Sequence, residues 1–191
     1  MPPKPVLTKE MILDAAFALV REHGFGALTA RSIAQKLGCS TQPIYSTYGK
    51  MSDMKNDVYD KAVDFALASM ESFIGRSNSP ALDLAIGSLH FAKKEKRLFQ
   101  TVYLSGYRTY NLEKESFIGE ELYITQLRKR GRLSTVEDDK MKKILKAMSI
   151  YVIGLGTMIN TETLDLDISE ATLMIGEMYE AMLMKEGITS S

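Results

Sequence analysis

Thr29 to Tyr48, TARSIAQKLGCSTQPIYSTY, reads as two short helices joined by a tight turn. Leu28, Ile33, Ala34 and Leu37 fall at helical spacing, and Gly38 then supplies a residue free to take the left-handed conformation that ends a helix. A second helix restarts almost at once. Ser40 or Thr41 is placed to cap it by accepting from an orphan amide, and Pro43 lies in its first turn, where a missing N–H costs little. Ile44 and Tyr48, four apart, face inward. Gln42, Ser46 and Thr47 then point out with Tyr45 beside them, a small polar surface of the size that fits the major groove of DNA. Helix pairs with a purely structural role share this spacing, so spacing alone leaves both readings open.

The fuller string separates them. Thr29-x-Arg31-x-Ile33-Ala34, then Gly38-x-Ser40 and Ile44-Tyr45-x-x-Tyr48, resembles the amino-terminal signature of tetracycline-repressor (TetR) family regulators. The preceding Ile12-x-x-Ala15-Ala16 helix and the Gly24-Phe25 break extend the likeness, which is architectural only beyond about the first sixty residues. The resemblance implies an all-helical homodimer that binds double-stranded operator DNA with palindromic symmetry and releases it when a small molecule enters the carboxy-terminal domain. It also implies DNA contact from Thr29, Arg31, Ser40, Thr41, Gln42, Pro43, Tyr45, Ser46, Thr47 and Lys50, with Gln42 reading a base edge and Tyr45 anchoring phosphate. In three places the chain departs from the family pattern. Thr47 stands where His or Tyr is common, Tyr48 replaces the usual Phe, and the lysine that opens the fourth helix falls on Met51, with Lys50 one residue earlier.

With 191 residues and 45% apolar content the chain is long enough for two domains with a buried core. Residues 1–52 carry six Lys or Arg against three Asp or Glu, and 53–191 carry eighteen against twenty-one, so a head of +3 balances a body of −3. Such mild asymmetry suits a DNA-binding head only if basic charge gathers on one face. A single cysteine, Cys39, excludes an intramolecular disulfide and any multi-cysteine metal site; it occupies a turn position that suits a small packed hydrophobe. With no unbroken apolar run of eighteen residues and no charged-then-apolar leader, no membrane association is expected and the protein is placed in the cytoplasm.

The rest of the chain reads as helices, about nine in all. Met1 to Leu7, rich in proline, is an expected mobile arm. Thr8 caps a first helix ending at Gly24, and Ser52 opens a long helix through about Gly75 that links a head at 6–52 to a body at 53–191. In the body, Ala81 to Lys93, Glu95 to Ser105 and Glu113 to Gly131 read as helical, with a break at Gly106 to Leu112. Ser134 and Glu137 form a candidate capping box for a helix striped with Met141, Ile144, Leu145, Met148, Tyr151, Val152, Leu155 and Ile159, and a last helix follows Ser169. Stripes on these last two helices call for partners, which a four-helix interface between two copies would supply. A body pocket for a small, moderately hydrophobic effector bearing hydroxyl or amine groups is expected from Phe99, Tyr103, Tyr107, Phe117, Met148, Tyr151 and Met158. Taken singly, each of these is more often ordinary core, so the expectation rests on the set.

Nothing points to catalysis. His23 and His90 are far apart, no H-E-x-x-H or Cys-His cluster exists, and nucleophile-elbow, P-loop and dinucleotide fingerprints are missing, so neither an enzyme nor a metal or other cofactor is expected. The basic runs KKEKR (Lys93 to Arg97) and RKRGR (Arg128 to Arg132) read as helix ends and solvated faces rather than as a second nucleic-acid site. The chain therefore reads as a ligand-responsive, sequence-specific DNA-binding regulator, most simply a repressor. The alternatives are a helical ligand-binding protein or enzyme in which the helix pair is only structural, and sequence-independent DNA binding.

Overall fold

A computed structural model describes residues 7–109 and 117–188. Among them nine α-helices follow one another without a strand, and the chain divides into two compact units. The first comprises residues up to Phe65 together with Arg97–Tyr107, and the second comprises Ala66–Lys96 and the chain from Arg108 on. The boundary thus falls inside a helix rather than at residue 52, and a segment expected in the body packs as part of the head. The arm at 1–6, and Tyr110 with the chain through residue 116, lie outside the described residues.

In the first unit, α1 (Lys9–His23) starts where the Met11 N–H donates to Thr8 Oγ1 at 3.2 Å, and stops at Gly24. α2 (Ala30–Leu37) opens on a capping box between Thr29 and Ser32 and closes on Gly38 in the left-handed region (φ 64°, ψ 33°). α3 (Gln42–Tyr48) follows from Thr41, but neither Ser40 nor Thr41 caps it with a side chain. Thr41 is itself helical (φ −74°, ψ −14°), which turns its hydroxyl away from the first-turn amides, and Pro43 has no N–H to offer. Ile12, Ala16, Val20, Ile33, Ile44, Met54 and Val58 are buried together in this small unit.

α4 (Met51–Glu71) is shorter than expected, giving way to turns that end at Gly75 (φ 92°). α5 spans Pro80–Lys94. The expected helix from Glu95 to Ser105 divides into α6 (Lys96–Phe99) and a π-helical turn at Gln100–Leu104. Side-chain bonds explain the loosened ladder: Tyr59 donates to the Val102 carbonyl at 2.9 Å, Thr101 donates back to Arg97 O at 2.7 Å, and Ser105 to Thr101 O at 2.6 Å.

The second unit packs the end of α4, α5, α7 (Glu120–Lys129), α8 (Asp138–Thr161) and α9 (Ile168–Lys185). Its core joins Leu89, Leu127, Leu133, Ile144, Leu145, Leu155, Ala171 and Ile175. α4 and α5 touch so closely at Gly87 that a Cβ there would lie 2.8 Å from the backbone of Met70. The expected capping box of α8 does not form. Glu137 precedes the helix without a side-chain cap, and Ser134 donates instead to Gly131 O at 2.7 Å, within a turn that Arg128 clamps by donating to the carbonyls of Ser134 and Val136. α9 begins one residue before Ser169, because Asp167 and Glu170 form the box there. By length and composition alone α8 could cross a bilayer, yet its stripe from Met141 to Ile159 lies in the core of this unit.

Candidate nucleic-acid interface

Two positions decide what α3 can present. Ile44 is fully buried and Tyr48 nearly so, one helical turn apart, so the intervening residues are fixed on the outer face. Gln42, Tyr45, Ser46 and Thr47 are exposed there with Thr41, and Pro43 is half-buried at the edge. The Ser46 hydroxyl donates to Gln42 O at 3.0 Å and that of Thr47 to Pro43 O at 2.9 Å. Both protons are thus already used within the helix, leaving Ser46 and Thr47 as acceptors. The Gln42 amide and the Tyr45 hydroxyl, on a side chain about half exposed, extend the donors of this face.

The surrounding cations are sorted by pairing. Lys9 meets Asp57 at 2.7 Å, Lys36 meets Glu22 at 3.2 Å, Lys61 pairs with Asp14, and Arg21 lies over the Phe65 ring. Arg31, near the start of α2, and Lys50, just before α4, stay exposed. Lys50 thus precedes the α4 amides, where helix polarity favours an anion. Thr29 commits its side chain to the α2 cap, while Ser40 is exposed in the turn and Cys39 is half-buried.

Tyr48 is the floor of this surface. Lys9 sits 5.1 Å from its ring centroid. Its hydroxyl is buried and makes no hydrogen bond of good geometry, and burial first, then the neighbouring Asp57 carboxylate, push the phenol up to about 12.

The seven residues expected around an effector are divided between the two units. Phe99, Tyr103 and Tyr107 fall in the first unit. There Phe99 is buried beside Tyr103, while Tyr107 packs at 4.7 Å against Phe25 and donates to Asn56 at 2.8 Å. Phe117 and Tyr151 are half-buried against the core of the second unit, and Met158 is exposed on α8. Met148 alone of the set lines a cavity of about 230 Å³ enclosed by α5, α7, α8 and α9. Leu82, Leu145, Val152 and Ile175 supply its apolar walls, with Tyr123, Ser149, Tyr179, Arg132 and Glu180 as polar groups. Burial raises the Tyr123 phenol far above its ordinary value, and Arg132 holds Glu180 below the usual carboxylate range. Sequence reading missed these polar residues because Arg132 and Glu180 stand forty-eight positions apart in the chain. The basic runs are largely tied down: Arg128 to Asp138, Arg130 to Ser77 O, Arg132 to Glu180 and Lys96 to Glu162.

Residues 12–56 match the family described as bacterial regulatory proteins, tetR family. The whole fold is similar to the crystal structure of a TetR-like transcriptional regulator from Rhodococcus sp. RHA1, with a TM-score of 0.60 and 16% identity over 95% of this chain and 98% of that one. No curated protein matches the chain.

Proposed function

We propose, from the premise that the chain carries the amino-terminal domain of the tetR family and is a DNA-binding transcriptional regulator of that kind, that it acts as a dimeric, ligand-responsive repressor on a palindromic operator. The observation that carries this reading is the outer face of α3, where buried Ile44 and Tyr48 leave Gln42 and Tyr45 outward, in a head that also exposes Arg31 and Lys50. Gln42 reads a base edge, Tyr45 and Arg31 hold phosphate, and Lys50 takes the place of the lysine displaced by Met51. Its place of action is the cytoplasm, with the DNA.

Dimerisation uses α8 and α9. Ile150, Met158, Leu173, Met174 and Met184 are large apolar side chains left exposed on these two helices, and a second copy covers them by two-fold symmetry. An effector in the cavity of the second unit weakens operator binding through α4, which contributes residues to both units. A coupling of about 1 to 3 kcal/mol lowers operator affinity some 5- to 150-fold.

Selection of bound duplexes from a random pool tests the reading. A two-fold palindrome is expected, and light scattering should give twice the 21.4 kDa chain mass. Gln42→Ala should relax one base position per half-site at a cost of about 1 to 3 kcal/mol, and Tyr45→Phe should weaken all sequences alike. An asymmetric site, or equal affinity for selected and random duplex, would refute it.

A further inference from the structure

Hydroxyl groups around the second unit's cavity lack acceptors. Tyr123 from α7, Ser149 from α8 and Tyr179 from α9 all line it. Burial alone raises the Tyr123 phenol far above its ordinary value, with neither a charge nor a hydrogen bond contributing. Burial is also the first cause of the rise at Tyr179, again with no hydrogen bond. Elsewhere on α8 the Thr157 hydroxyl donates to Ile153 O at 2.8 Å, as hydroxyls in helices commonly do, whereas that of Ser149 meets no acceptor among the described residues. Tyr48 in the first unit is also unpartnered, but its oxygen is sealed in, while Tyr123 borders a space that a ligand can enter.

The ions at the rim satisfy one another, Arg132 donating to both carboxylate oxygens of Glu180. A charged ligand entering among Leu82, Leu145, Val152 and Ile175 would lose its hydration against an apolar wall and find its counter-ion already engaged. Neutral ligands avoid that cost. An alcohol would bring one more proton to a wall where donors are in surplus, while a carbonyl brings two lone pairs and no proton. Size sets a further limit. An apolar cavity of about 150 Å³ takes benzene, so one of about 230 Å³ has room for on the order of nine non-hydrogen atoms.

We propose that this cavity binds a small, neutral carbonyl compound whose oxygen accepts a hydrogen bond from the Tyr123 hydroxyl. Its hydrocarbon part then lies among the apolar residues of α5, α8 and α9, with the oxygen toward α7. A hydrocarbon of the same shape would leave the buried phenol unpaired, so the hydroxyl is what selects the carbonyl. This ligand class rests on the reading of the second unit as effector-binding.

NMR titration of the full chain with cyclohexanone, and with methylenecyclohexane, in which a CH2 group replaces the oxygen, tests it. Each probe has seven non-hydrogen atoms and lies within the size limit. Tyr123→Phe should weaken cyclohexanone about fivefold, the worth of one net hydrogen bond, and leave methylenecyclohexane unchanged or tighter. Cyclohexylamine, a cation at neutral pH, should bind at least about tenfold more weakly than the ketone. Equal effects of Tyr123→Phe on ketone and hydrocarbon, an amine that binds as tightly as the ketone, or no binding of the ketone would each overturn the proposal. The variant keeps the ring and removes only an oxygen without a partner, so its fold is preserved. Operator affinity is measured in parallel with and without each probe. Binding of the ketone that depends on Tyr123 but leaves operator affinity unmoved upholds the ligand class and removes the effector reading. Operator release by ketone and hydrocarbon alike, in both proteins, upholds the effector reading and overturns the ligand class.

Discussion

Replacing Tyr48 by phenylalanine removes one buried oxygen and leaves the ring, with Lys9 still 5.1 Å from its centroid. In the wild type that hydroxyl is desolvated without a well-formed hydrogen bond, a state that costs about 1 to 3 kcal/mol. Tyr48→Phe should therefore stabilise the protein at neutral pH by about 1 kcal/mol, the lower end, because a small void remains where the oxygen was. For a chain of this size that is a rise in Tm of about 2 to 4 °C. The pH dependence gives a second signature. Folding raises the phenol from 10.0 to about 12, so the folded state holds this proton more firmly than the unfolded chain does. The part of the stability that depends on this proton is fully present below pH 10 and is lost as pH rises from 10 to 12. Phenylalanine has no such term, so the variant's advantage should widen across that window. Urea unfolding of both proteins at pH 7 and at steps from pH 9 to 11 measures both effects. A variant about 1 kcal/mol less stable at neutral pH, or a gap that stays constant above pH 10, would refute the reasoning by showing that the hydroxyl is hydrogen-bonded, with Asp57 the nearest acceptor to suspect.

Gly87→Ala should destabilise by about 1 to 3 kcal/mol, read by chemical denaturation, because its Cβ would meet the Met70 backbone at 2.8 Å and neither helix can yield locally. Asn160→Ala should cost about 1 to 3 kcal/mol in the same assay, since its buried amide donates to Ala92 O at 2.9 Å and Lys96 O at 3.1 Å. Lys50→Ala should lower the slope of log affinity against log salt by about 0.9 for each phosphate that is no longer neutralised, with the selected sequence unchanged; an unaltered slope would assign Lys50 to solvent.

What could be read in advance was local. Gly38 ends α2 in the left-handed region, Thr8 caps α1, and Ile44 and Tyr48 turn inward, because each depends on neighbours within four residues. Even there, Thr41 disappoints as a cap, since proline spacing and its own helical backbone remove the hydrogen bond that its residue type suggests. What escaped reading depends on tertiary partners. The π-helical turn at Gln100–Leu104 follows from Tyr59, which is forty-three residues distant from Val102, and the polar rim of the cavity from a pairing between the α7–α8 turn and α9. An aromatic or methionine stripe shows that a residue is buried, but not in which of two units; Phe99 and Met148 fit one pattern and lie in different ones.

The first unit's claim on Arg97–Tyr107 limits how this protein can be taken apart. A fragment cut after α4 would keep every residue of the helix pair yet lose Phe99, Val102 and Tyr107, exposing Tyr59 and Phe25 and removing the acceptor of the Tyr59 hydroxyl. Chimeras that graft this head onto another regulator's body meet the same difficulty. The modular exchange that its amino-terminal position invites needs two splice boundaries more than a simple fusion, so that the eleven-residue insert travels with the head.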